Sequence, residues 1–131
     1  MRRTGLLHAE LLEVIARLGH GQTLVISDAG LPIAPHVRRI DLALRPGLPG
    51  LLAVLEAVLE AGVFEAATIA AELPTSDSQL ADAISAQLGQ ASIDQVPHEE
   101  LKRLAVDAVA VVRTGEFSPY ANVVLRAGVP F

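Results

Sequence analysis

Along this chain, short runs of β-branched and small apolar residues alternate with segments of helical period, and that alternation leaves few folds open. The runs are Thr23–Ser27, Arg39–Leu44, Ala66–Ala71, Ser92–Val96, Ala108–Val112 and Ala121–Leu125. Ahead of the first of them, Leu6, Leu7, Leu11, Leu12, Val14, Ile15 and Leu18 recur at helical spacing, with Thr4 as a cap and Gly19 as the stop. Pro46-Gly-Leu-Pro-Gly50 breaks the chain before a helix over 51–61, which Gly62 closes. Thr75 or Ser76 caps a further helix reaching Leu88, and Pro97-His-Glu-Glu100 opens another with acids in its first turn. Strands interleaved with helices in this way predict an α/β fold. The expectation is a single three-layer domain over residues 1–131, with a largely parallel central sheet covered by helices on both faces.

Charge narrows the class of partner. The net charge of −5 lacks the clustered positive potential that a nucleic-acid surface needs, since Arg2-Arg3, Arg38-Arg39 and Lys102-Arg103 are isolated pairs. Glu56 and Glu60 interrupt the most apolar stretch, so no membrane span is expected. The first residues do not read as a secretory signal, and the absence of cysteine excludes disulfides and thiolate chemistry, so a cytoplasmic location is the expectation. Hydrophobic residues reach 51% while charged ones stop at 19%, below the usual share of about a quarter. Apolar surface in such excess predicts burial between subunits, hence a homo-oligomer. The terminal Gly128-Val-Pro-Phe131 is apolar up to the carboxylate, so it either tucks onto its own core or packs against a neighbouring subunit.

In α/β folds ligands sit outside the carboxyl ends of the strands. Asp28 follows the first strand, His98 follows Ser92–Val96, and Glu116 lies in the turn after Ala108–Arg113. Tyr120 is the chain's only tyrosine, and it stands beside Pro119 with the amide of Asn122 two positions on. His20, between Gly19 and Gly21, precedes a strand, so one subunit does not bring it to the same edge; that mismatch points to a site shared between subunits. Each of these residues also has a structural reading. Asp28 suits an Asp-Ala-Gly turn, His98 suits a first helical turn, and Arg113 with Glu116 suits a surface pair. His8 and His36 read as structural or solvated. No two histidines show metal-ligand spacing, and Gly19-His-Gly-Gln22 lacks the third glycine and the preceding strand of a dinucleotide loop, so neither metal nor cofactor is expected.

Taken in order, Gly19-His20, Ser27-Asp-Ala-Gly-Leu-Pro32, Asp41-Leu-Ala-Leu-Arg-Pro-Gly-Leu-Pro49, Pro97-His-Glu-Glu100 and Arg113-Thr-Gly-Glu-Phe-Ser-Pro-Tyr-Ala-Asn122 give the chain a close resemblance to the D-ribose pyranase family. These are small sugar-ring isomerases related to the fucose mutarotases. Gly30-Leu-Pro32 and Ser118–Asn122 resemble the ribose branch more than the fucose branch. The resemblance implies interconversion of the pyranose and furanose forms of D-ribose, with His20 as the acid–base residue. It implies sugar contacts from Asp28, His98, Tyr120 and Asn122, with Lys102 lining the same site. It further implies ring-shaped homodecamers with sites between adjacent subunits. An imidazole, titrating at about 6.5 when unperturbed, suits proton transfer at neutral pH.

Overall fold

The computed structural model describes residues 1–131 and contains one six-stranded sheet of order β2-β5-β1-β6-β3-β4. The strands are β1 (Thr23–Ser27), β2 (Arg38–Asp41), β3 (Phe64–Ala70), β4 (Ser92–Val96), β5 (Ala110–Arg113) and β6 (Val123–Ala127). The β2–β5, β5–β1 and β3–β4 pairs are parallel, whereas β6 runs antiparallel to both β1 and β3. The sheet is therefore largely parallel, with its one reversed strand near the middle. That reversal brings the start of β6 to the edge where the parallel strands end.

The helices are α1 (Ala9–Arg17), α2 (Leu51–Ala61), α3 (Leu73–Ser76), α4 (Ser78–Leu88) and α5 (His98–Val106). Leu11, Val14 and Ile15 of α1, Leu51, Val54, Leu55 and Val58 of α2, and Leu80, Ile84 and Leu88 of α4 form one core with Leu24, Ile26, Ile69, Val112, Val123 and Leu125 of the sheet. The opposite face is covered more thinly. There Leu101 and Ala105 of α5, with Leu31 and Val37 from the loop after β1, meet Val25, Val111 and Val124. Alternate residues of β1 thus enter opposite cores, which is why the strand reads as a continuous apolar run. No helix is long and apolar enough to cross a membrane.

Several boundaries differ from the sequence expectation. The first helix begins at Ala9 instead of near Thr4, because His8 is its N-cap and its Nδ1 accepts from the amide of Leu11 at 3.3 Å. Asp77 starts α4, its carboxylate accepting from the Leu80 amide at 3.0 Å, and the residues before it form the separate short α3. The strand expected to run to Leu44 ends at Asp41: the chain turns back on itself, with the amide of Leu44 donating to the carbonyl of Leu48, and Leu44 is left exposed. From β2, Arg38 donates to Glu13 of α1 at 2.9 Å, and this hydrogen bond with the accompanying charge holds the Glu13 carboxyl below its usual range. Phe131 is 98% exposed, so the tail is not tucked onto its own core.

Candidate active site

The ends of β1, β4 and β5 and the approach to β6 surround a cleft of about 590 Å³, within the range of small-molecule sites. Asp28, His98, Lys102 and Tyr120 line it, with Arg113 and Glu116 at its base. Asp28 is the first residue past β1. Its Oδ1 accepts from the amide of Gly30 at 2.9 Å, as the turn reading predicts, and its Oδ2 accepts from Nδ2 of Asn122 at 3.0 Å. Asn122 returns the favour through its Oδ1, which accepts from the backbone amide of Asp28 at 2.9 Å. The bonds from the Asn122 amide and the Gly30 backbone together set the direction of the carboxylate, and each carboxylate oxygen keeps a lone pair for a ligand hydroxyl. Asn122 is fully buried and stands behind Asp28, outside the cleft lining.

Tyr120 adopts φ 63°, a left-handed conformation rare for an aromatic residue. Pro119 followed by positive φ is the pattern of a type II turn, where glycine or asparagine is usual at the third position. Such strain costs about 1–3 kcal/mol and survives only where neighbours over-determine it. Here the amide of Asn122 donates to the Tyr120 carbonyl at 2.9 Å, and the ring meets His98 edge-on at 5.1 Å and 79°. The result is an aromatic side chain held over the cleft.

His98 opens α5, and its backbone amide donates to both carboxylate oxygens of Glu72, at 3.1 and 3.0 Å. Pro97 at the cap position supplies no side-chain acceptor, so Glu72, two residues past the neighbouring strand β3, does so. Glu72 was not among the residues singled out by sequence, although the strand-end rule that finds Asp28 and His98 applies to it equally. The Nδ1 of His98 is buried and makes no hydrogen bond within the chain. One turn on, Lys102 donates to Glu99 at 2.9 Å, and this bond and charge hold the Glu99 carboxyl below its usual range.

The turn after β5 is a scaffold. Arg113 and Glu116 do not pair with each other, contrary to the surface-pair reading. Arg113 donates through Nε to the Ala29 carbonyl at 2.9 Å and through Nη1 to Asp41 at 3.1 Å. Glu116 Oε1 accepts from the Leu51 amide at 3.1 Å, capping α2, while Oε2 accepts from the Ser118 hydroxyl at 3.0 Å. Thr114 Oγ1 donates to the carbonyl of Ser27 at 2.7 Å, tying this turn to the end of β1.

His20 lies elsewhere. Its turn precedes β1 and is stitched to the far end of β6, the amide of Gly21 donating to Ala127 at 2.9 Å. The five residues of β1 separate it from Asp28, about 16 Å at the usual strand rise. Its Nε2 lies 3.1 Å from Oε2 of Glu65. Within one chain, then, Asp28, His98, Lys102 and Tyr120 converge, Asn122 supports them, and His20 stands at the opposite edge of the sheet.

Replacing Asn122 by alanine should leave the Asp28 amide without its buried acceptor, lowering stability by about 1–3 kcal/mol. Affinity for a ligand in the cleft should fall with it, because the Asp28 carboxylate loses its orientation. Chemical denaturation and a binding titration would check both, and a variant with unchanged affinity would show that Asn122 matters only to stability.

A strand-end cleft walled by a carboxylate, an imidazole, an ammonium and a phenol, each with hydrogen-bonding capacity to spare, defines an α/β protein built to hold a small polyhydroxylated molecule. The chain belongs to the RbsD / FucU transport protein family, whose model matches residues 1–130. It is 56% identical over 135 residues to the D-ribose pyranase of Variovorax paradoxus and 50% identical over 131 residues to that of Symbiobacterium thermophilum, each match covering 100% of both chains. Among solved structures, RbsD of Bacillus subtilis complexed with D-ribose superposes with a TM-score of 0.96 at 42% identity, covering 100% of both chains. FucU of Bifidobacterium longum is more distant, with a TM-score of 0.76 at 26% identity over 95% of this chain and 97% of that one.

Proposed function

We propose that this protein is an intramolecular isomerase that interconverts the pyranose and furanose forms of D-ribose by ring opening and reclosure. The observation that carries the reading is the full-length similarity to D-ribose pyranases in a chain whose cleft is walled by polyol-binding groups. Of the two segments that set the ribose branch apart in sequence, all of Gly30–Pro32 and the first three residues of Ser118–Asn122 line that cleft.

In the reaction, a base takes the proton of the anomeric hydroxyl, the C1 carbonyl forms, and the bond from C1 to the ring oxygen breaks as that oxygen takes a proton. Reclosure through the C4 hydroxyl then gives the five-membered ring. The exchange also proceeds unaided in water, so the protein need not supply a large reduction in barrier. General acid–base catalysis by one positioned group is worth about 10²–10⁴-fold. Asp28, His98, Tyr120 and Lys102 hold the hydroxyls, Asn122 orients Asp28, and His20 moves the proton.

This division requires a His20 from a neighbouring copy, since its own lies across the sheet. A ring-shaped homo-oligomer, of decameric size as the family resemblance implies, supplies one. The exposed Leu7, Val63, Phe117 and Phe131 give a single chain the apolar surface that such assembly would bury. Removing Val129–Phe131 should therefore weaken assembly and activity together. Light scattering on the truncated protein would decide, and a fully assembled variant would refute the role of the tail.

The reading as an enzyme is tested by saturation-transfer NMR on ribose with substoichiometric protein. Accelerated exchange between ring forms is expected. A protein that binds sugar but leaves the exchange rate unchanged would be a simple binder. Running fucose in parallel separates ribose-ring from fucose-type activity.

A further inference from the structure

β3 carries an irregularity at its first turn of the ladder. Phe64 pairs with Ala127 and Ala66 pairs with Arg126, so Glu65 is an extra residue opposite no partner. Bulges of this kind disrupt pairing locally and re-aim a side chain, and they recur beside active sites. Here the re-aimed side chain is a carboxylate with two defined partners. Oε2 of Glu65 lies 3.1 Å from Nε2 of His20, and Oε1 forms an ion pair with Nε of Arg126 at 3.0 Å. Gly128 packs against it: a Cβ there would stand 3.1 Å from the Cβ of Glu65 and 3.5 Å from its Oε2. The backbone around the group is tied down as well, with Gly128 donating to the Val63 carbonyl at 3.0 Å and Gly21 to that of Ala127 at 2.9 Å.

From this geometry we infer that Glu65 is the positioning residue of His20, holding the ring through Nε2 and fixing its tautomer, with Arg126 anchoring the carboxylate. The chemistry follows from what a carboxylate can do. An ionised carboxylate only accepts hydrogen bonds, so the imidazole nitrogen facing it carries the proton. Nδ1 then holds the lone pair, and it makes no hydrogen bond within the chain. In the neutral ring Nδ1 is therefore the atom that receives the anomeric proton. When it does so, the carboxylate stabilises the resulting cation. Arg126 occupies the other carboxylate oxygen, which keeps Glu65 from rotating away from His20.

The inference rests on the acid–base reading of His20, and two independent readouts separate them. Glu65→Gln keeps the shape, but its amide accepts or donates, so either tautomer fits. Catalysed ribose exchange is expected to fall about tenfold or more, part of the range for a positioned acid–base group, with ribose affinity and assembled mass unchanged. The nitrogen resonances of the His20 ring, assigned by comparison with His20→Ala, are expected to move from an Nε2-protonated pattern toward a mixture. Gly128→Ala, which presses on Glu65 without removing any charge, should change the same resonances in the same direction. Unmoved ring resonances in Glu65→Gln would overturn the inference, as would a loss of activity that tracks loss of affinity or mass. If instead His20→Ala exchanges ribose at the native rate, the catalytic reading of His20 fails, while the ring resonances still report whether Glu65 holds it.

Discussion

His20→Ala is expected to reduce ribose ring exchange to its uncatalysed rate while ribose binding largely survives. The two effects should separate because the groups proposed to hold the sugar and the group proposed to move the proton lie at opposite edges of the sheet. Asp28, His98, Lys102 and Tyr120 line the cleft, and His20 makes no contact with them within one chain. Losing the imidazole removes general acid–base catalysis, worth about 10²–10⁴-fold, and leaves every cleft hydrogen bond in place. Saturation-transfer NMR measures the exchange and calorimetric titration the affinity. Exchange unchanged in the variant would sink the assignment of His20. Mixing sharpens the test: a site shared between copies predicts that His20→Ala and Asp28→Ala chains together recover part of the activity that each lacks alone. A mixture without recovery would place the two residues in separate functions.

The largest structural effect is expected at Gly115. It sits where the turn after β5 meets the loop between β2 and α2, and a Cβ on it would stand 2.5 Å from the carbonyl oxygen of Leu48 and 2.7 Å from that of Arg45. Both obstacles are backbone, so no rotamer change relieves them. The same contact is sealed by two hydrogen bonds, the amide of Gly115 donating to Pro49 at 2.8 Å and that of Gly47 to Gly115 at 2.7 Å. Gly115→Ala must spread the two segments. A loss of about 3 kcal/mol is expected, at the upper end of overpacking costs. For a chain of this size that lowers the melting temperature by about 10 °C. Activity should fall as well, because Arg113, Thr114 and Glu116 brace the floor of the cleft from the same turn. Calorimetric melting near the wild-type value would show that the loop shifts at little cost.

Local chemistry made much of this architecture readable. Thr23–Ser27 and Ser92–Val96 coincide with β1 and β4, and 51–61 with α2. Each has a strong period or a clear stop: Gly62 ends α2, and Pro97 ends β4. The misplaced boundaries belong to residues whose side chains cap from unexpected positions, as His8 and Asp77 do, or to backbone drawn away by tertiary contact, as after Asp41. Asp28, His98 and Tyr120 stood out because strand ends collect ligands and because aromatic groups are scarce here. Glu72 and Glu65 did not, since a carboxylate beside a strand has no local mark of the distant amide or imidazole that it holds.

The order of the chain determined by itself that strands and helices alternate, which segments are buried, and which polar groups fall at strand ends. Those properties follow from side-chain period and turn chemistry within a few residues. Only the tertiary structure decided that β6 runs antiparallel between β1 and β3, which carries Tyr120 and Asn122 to Asp28. It alone set His20 against Glu65, at the edge away from the cleft. Such pairings join residues far apart in sequence, here 94 and 45 positions, and rest on sheet order and burial that no local pattern encodes.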